Sequence, residues 1–118
     1  MIIAIDFDGT IVTDAYPGIG YLMPDAKDTI ERLHLEGNYI IIWTCRQGEA
    51  MIDCINFLLE HKIPFDRINR AAPDNIAQYG SGGQKVYADV YIDDKNIGGF
   101  VGWAEIRRQL CDPDYMYP

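Results

Sequence analysis

Basic residues are in short supply: 10 Lys and Arg stand against 18 Asp and Glu, for a formal net charge of −8. That balance disfavours nucleic acid or an anionic membrane as a bulk partner, because phosphate backbones select for Lys and Arg. A small phosphorylated substrate stays open, since local charge decides it, and an acidic chain that handles phosphate needs a cation in between. Cysteine is scarce too. Cys45, Cys54 and Cys111 form an odd set without C-x-x-C spacing, which argues against a disulfide framework or a zinc site and fits a reduced compartment. No apolar run approaches the ~20 residues of a spanning helix. The apolar N-terminus is short, lacks basic residues and runs straight into aspartates, so it reads as a strand and not a signal peptide. A soluble, cytoplasmic protein is expected. Repeats, linkers and low-complexity segments are also missing, and 118 residues fit a single domain, 1–118.

What is present is enough apolar content, 48%, for a core that buries roughly two-thirds of the unfolded chain's surface. Ile2–Ile5 is a continuous apolar run, the pattern of a strand buried on both faces of a parallel sheet. Residues 11–23 carry Pro17, Gly18 and Gly20 and predict an irregular excursion. Pro24 suits the first turn of a helix that has Ala26, Ile30 and Leu33 at helical spacing and Gly37 as its stop. Residues 39–43 read as a second buried strand ending at Thr44. Gly48 opens a longer helix with Met51, Ile52, Ile55, Leu58 and Leu59 on one face, closed before Pro64. Residues 65–68 form a short strand, and 69–85 are either a helical turn or a small hairpin. Residues 86–92 are strand-like, and Phe100, Trp103, Ile106 and Leu110 mark a final amphipathic helix. The order implies an α/β fold with a mostly parallel sheet and right-handed connections.

Polar residues stand where the strands end: Asp6 and Asp8 after the first, Thr44 after the second, Asp93 and Asp94 after the last. In an open α/β sheet the carboxyl ends of the strands face one crevice, where ligands bind. Carboxylates gathered there repel one another, and removal from water makes the repulsion worse. Either some are protonated or a divalent cation sits among them. Oxygen-only ligands select a hard ion, and Mg²⁺ fits best when substrate phosphate completes its shell. The Asp-x-Asp spacing lets one carboxylate attack while the other donates a proton to the leaving group. Gly9 lets the backbone turn and approach a ligand, and Thr10 can bond back to a carboxylate.

Taken singly, each feature has a plainer explanation: a strand-end Asp is usually a turn or a cap, and Thr44 favours strands anyway. The joint, ordered pattern is what carries the inference. With these residues on view, the chain resembles the haloacid dehalogenase-like hydrolases. Asp6-Phe7-Asp8-Gly9-Thr10 matches their first motif, Thr44 their second and Asp93-Asp94 their fourth. The resemblance implies a three-layer Rossmann-like core and an Mg²⁺-dependent phosphatase acting on a phosphomonoester. It makes Asp6 the nucleophile that forms an aspartyl-phosphate and Asp8 the general acid and base, whose backbone carbonyl joins Asp6 on the metal. It gives Thr44 to the phosphoryl group, with Gly9 and Thr10 alongside, and places Asp94, in preference to Asp93, on the metal directly. For the phosphate-binding cation of the third motif, Lys85 and Arg46 are both candidates. Residues 11–23 and 47–84 are too short for the cap domain many members carry. The open site then admits a large substrate, or a small one if a homo-oligomer closes the crevice; a small molecule suits the acidic charge better. The alternatives are a phospho-accepting switch and a degenerate binding module of the same fold.

Other features are set aside. The segment around Gly80, Gly83 and Lys85 resembles a phosphate loop only superficially, since no apolar strand leads into it. His34 and His61 sit in last helical turns, where a cation suits the dipole. Cys45, beside Thr44, is expected to be a buried small residue, and Trp43 and Trp103 to pack the core. Tyr115 and Tyr117 dock on the body or on a second subunit.

Overall fold

The computed structural model describes residues 1–80 and 83–117; Ser81 and Gly82, part of the glycine-rich segment above, lie outside the described residues. Among the described residues four strands and four helices alternate: β1 (Ile2–Ile5), α1 (Ala26–Leu35), β2 (Tyr39–Ile42), α2 (Gly48–Glu60), β3 (Arg67–Ile68), α3 (Pro73–Tyr79), β4 (Val90–Ile92) and α4 (Trp103–Leu110). All strand pairs are parallel, in the order β3-β2-β1-β4. The chain moves from β1 outward to β2 and β3, then returns to the other side of β1 as β4. The gap between β1 and β4 is therefore where the strand order reverses, the place at which the connections diverge and leave a crevice.

Alternation along the strands builds two apolar clusters. Ile3 and Ile5 of β1 and Ile40 and Ile42 of β2 join the larger one, with Ile30 and Leu33 of α1, Cys54 and Leu58 of α2, and Trp103 and Ile106 of α4. Ala4 and Ile41 face the other way, onto Val86 and Ala88 with Tyr39, Trp43 and Tyr91 around them. Helix α3 contributes no buried residue to that second face.

The structure corrects some expectations about the elements and decides between alternatives in others: 69–85 takes the helical option, and the tail docks on the body. Residues 86–92 are not one strand: only Val90–Ile92 pairs with β1. The preceding stretch lies across the sheet because Tyr91 Oη donates to Val86 O and accepts from Ala88 N, while Asp89 takes the Ile2 amide. Residues 69–85 contain a helix, α3, which begins at Pro73 as the fixed φ of proline allows. The strand 65–68 shortens to Arg67–Ile68. The first helix starts at Ala26 and not at Pro24, because Asp25 sits at φ 64°. On α2 the buried face is Cys54 and Leu58, whereas Ile52 and Leu59 are exposed. The tail docks on the body: Tyr115 Oη donates to Leu35 O, and Arg32 lies over the Tyr117 ring.

Candidate active site at the carboxyl edge of the sheet

The parallel ladder sets the site residue by residue. Asp6 N donates to Ile92 O (2.9 Å), Trp43 N to Ile5 O (2.8 Å) and Asn69 N to Ile42 O (2.8 Å). The polar residues after β1, β2, β3 and β4 are thereby held side by side. After β1 the chain folds tightly around one carbonyl, Phe7 O, which accepts from Thr10, Ile11 and Val12 amides. Phe7 itself is fully buried, so Asp6 and Asp8 are left on the polar side of an anchored turn. Thr10 Oγ1 donates to Asp6 Oδ2 (3.1 Å), and the buried Trp103 Nε1 holds Thr10 O at 2.7 Å.

Asp6, Asp8, Asp14, Tyr16, Thr44, Cys45, Arg46, Asp93, Asp94 and Lys95 line one open crevice of about 470 Å³. Oxygens of Asp6, Asp93 and Asp94 lie within 4.8 Å of one another. Their electrostatics follow from that crowding. Burial, then the Asp93 charge and a hydrogen bond with Asp94, push the Asp6 carboxyl up to about 7. Burial also works against ionisation of Asp94, but hydrogen bonds with Asp93 and Asp6 and the Lys95 ammonium outweigh it and hold Asp94 below the usual carboxylate range. Three convergent carboxylate oxygens, without a nitrogen or sulfur donor, fit a hard divalent ion such as Mg²⁺.

Thr44 Oγ1 accepts from Arg46 N at 3.2 Å, and Asn69 clamps the Thr44 backbone from the next strand end, Oδ1 on its N–H (2.8 Å) and Nδ2 on its carbonyl (2.7 Å). Arg46 is 1% exposed and grips Asp8 through both carboxylate oxygens at 2.7 Å. Lys85 does not line this crevice. It borders a neighbouring one with Asn69, Arg70, Tyr79 and Tyr87, its Nζ 4.9 Å from the Tyr91 ring centre. The cation that does line the acidic crevice, besides Arg46, is Lys95, 3.5 Å from Asp94. Cys45 is exposed on the crevice wall, contrary to the expectation of a buried residue, since β2 ends at Ile42 and its alternation no longer applies. Cys54 and Cys111 are the buried thiols, and burial pushes Cys54 up to about 12, which makes it an inert core residue.

Sequence reasoning missed Asn69, Asp14, Tyr16 and Lys95. Asn69 had a readable signal: it follows a strand just as Thr44 does. Asp14 and Tyr16 had none, because the 11–23 excursion has no periodicity to place them.

No family model matches the chain, nor does any curated protein. Among solved structures, a conserved protein from Bacteroides thetaiotaomicron is similar at 38% identity over 90% of this chain and 85% of that one, with a TM-score of 0.81. The chain belongs to the same family. A chain of a Pnkp1/Rnl/Hen1 complex is similar in fold at 17% identity and a TM-score of 0.57, covering 98% of this chain and 45% of that one. This chain therefore spans less than half the length of that one, and the likeness is one of fold alone. Among the described residues, no helix is long and apolar enough to cross a membrane.

Proposed function

We propose that this protein is an Mg²⁺-dependent phosphohydrolase of the haloacid dehalogenase-like type, with a capless Rossmann-like core, acting on a small phosphomonoester. The observation that carries the reading is the convergence of Asp6, Asp93 and Asp94 oxygens within 4.8 Å, at the reversal of strand order and beside Thr44. Asp6, Asp93 and Asp94 would hold the ion, with the Asp8 carbonyl; when bound, it supplies charge neutralisation for the cluster and for the phosphoryl oxygens.

In this reading Asp6 attacks phosphorus and the ester oxygen leaves as Asp8 protonates it. Water, deprotonated by Asp8, then attacks the aspartyl-phosphate and frees inorganic phosphate. Thr10, bonded to Asp6, fixes the attacking carboxylate, and the Asn69 clamp on Thr44 fixes the hydroxyl offered to the phosphoryl group. Fixed groups of this kind need no reorganisation as the reaction proceeds. Purified protein with Mg²⁺ is expected to release phosphate from 4-nitrophenyl phosphate, and Asp6→Asn to reduce release to background with an unchanged circular dichroism spectrum. Turnover that survives both Asp6→Asn and chelation sinks the assignment. A phosphoprotein that persists for minutes would point to a phospho-accepting switch instead.

A further inference from the structure

Arg46 is the one charged side chain among the described residues that is fully buried. A guanidinium has five N–H donors, and each has a partner here. Nε and Nη2 bond Asp8 Oδ2 and Oδ1 (2.7 Å each), Nη2 also bonds Gly18 O (2.5 Å), and Nη1 bonds Pro17 O and Ala50 O (3.1 Å each). Its Cζ also lies over two aromatic rings, Phe7 at 5.3 Å and Tyr16 at 5.2 Å from the ring centres. No donor is left to meet a phosphoryl group. Turning Arg46 outward would break its two-bond ion pair with the partly buried Asp8 and leave three carbonyls without their donor, which is strongly unfavourable. Two of the carbonyls it holds, Pro17 O and Gly18 O, belong to the loop that carries Asp14 and Tyr16 to the crevice rim, and the third, Ala50 O, lies in the first turn of α2; Tyr16 is 60% exposed at that rim.

We propose that Arg46 is a positioning residue that acts through Asp8: it ties the rim loop, residues 14–18, to the Asp8 carboxylate, so that the general acid–base and the wall facing the leaving group keep one geometry. This rests on the reading of Asp8 given above, and it differs from a role for Arg46 as phosphate ligand. The two roles separate by leaving group. A nitrophenolate departs with little need of a proton, whereas an alkoxide needs one from Asp8.

The test compares wild type, Asp8→Asn, Arg46→Ala and the double variant on 4-nitrophenyl phosphate and on β-glycerophosphate. Arg46→Ala is expected to lower kcat on the alkyl ester by about 100-fold or more and on the aryl ester by less than about 10-fold, with KM and inhibition by inorganic phosphate nearly unchanged. The double variant should match Asp8→Asn, and Arg46→Lys should not restore activity, because a point charge lacks the planar fork. Millimolar guanidinium should partly rescue Arg46→Ala. Equal losses on both esters with weakened phosphate inhibition, or additive losses in the double variant, would overturn the proposal.

Hydrogen exchange supplies a readout without catalysis, usable also where Arg46→Ala does not fold. In Asp8→Asn the Tyr16 and Gly18 amides should exchange about 10-fold faster or more, with α1 unaffected. Unchanged loop exchange overturns the tie between Asp8 and the rim. Absence of wild-type turnover would overturn the phosphohydrolase reading while exchange still decides the tie.

Discussion

Gly9 sits at φ +82°, and a Cβ added there would lie 2.1 Å from Asp94 Oδ2. Two costs coincide at this residue: a left-handed backbone that an L side chain resists by about 1–2 kcal/mol, and a contact that forces the Asp94 carboxylate aside. Gly9→Ala is therefore expected to lower the thermal midpoint and also to weaken Mg²⁺ binding, read by calorimetric titration. Destabilisation with unaltered Mg²⁺ affinity would mean that Asp94 is not held where the ion binds. Asn69, at φ 54°, combines a conformation that Asn tolerates with the two-bond clamp on Thr44. Asn69→Gly keeps the backbone and removes the clamp. It should cost about 1–2 kcal/mol in denaturant unfolding and raise KM for the phosphoester; Asn69→Asp, which sets a carboxylate oxygen against the Thr44 carbonyl and adds a negative charge, should raise KM at least as much.

Elements were legible in the sequence to the degree that their burial was simple. Ile2–Ile5 and Tyr39–Ile42 are apolar on both faces because they are the two central strands of the sheet. Helix α1 showed its buried face as Ala26, Ile30 and Leu33, and Gly37 at φ +92° ended it. The stretch before β4 misled because Val86 and Ala88 are apolar for packing on the sheet's face, not for pairing within it. Helix α2 misled because Ile52 and Leu59 are apolar yet exposed. Tyr91 holds the 86–88 stretch by a hydroxyl that both donates and accepts. Tyr91→Phe is thus expected to cost about 1–3 kcal/mol, since Val86 O is left without that partner, and to speed amide exchange at Ala88. A loss below about 0.5 kcal/mol would show that apolar packing alone keeps this segment down.

At the scale of the whole molecule, the acidic cluster links protonation to stability, and the proposed metal would enter the same linkage. The Asp6 carboxyl moves from 3.8 to about 7 on folding, so between those pH values the folded chain holds a proton that the unfolded chain has lost. Stability of the metal-free protein should then fall as pH rises through that window and stay reduced above it. An Mg²⁺ ion bound as proposed would take the proton's place, so it should raise the thermal midpoint more at pH 8 than at pH 5. Equal shifts at both values, or none, would contradict a metal site at Asp6. The sequence by itself determined the α/β class, the central strands and the acidic residues at strand ends, because strand burial and turn chemistry are local properties that leave a local pattern. Only the tertiary structure decided which cations reach those residues. Lys85 and Arg46 are both cations near strand ends in the sequence, but the reversal of strand order and the rim loop bury one against Asp8 and leave the other beside Tyr91. Such placement depends on contacts between residues tens of positions apart, which no periodicity records.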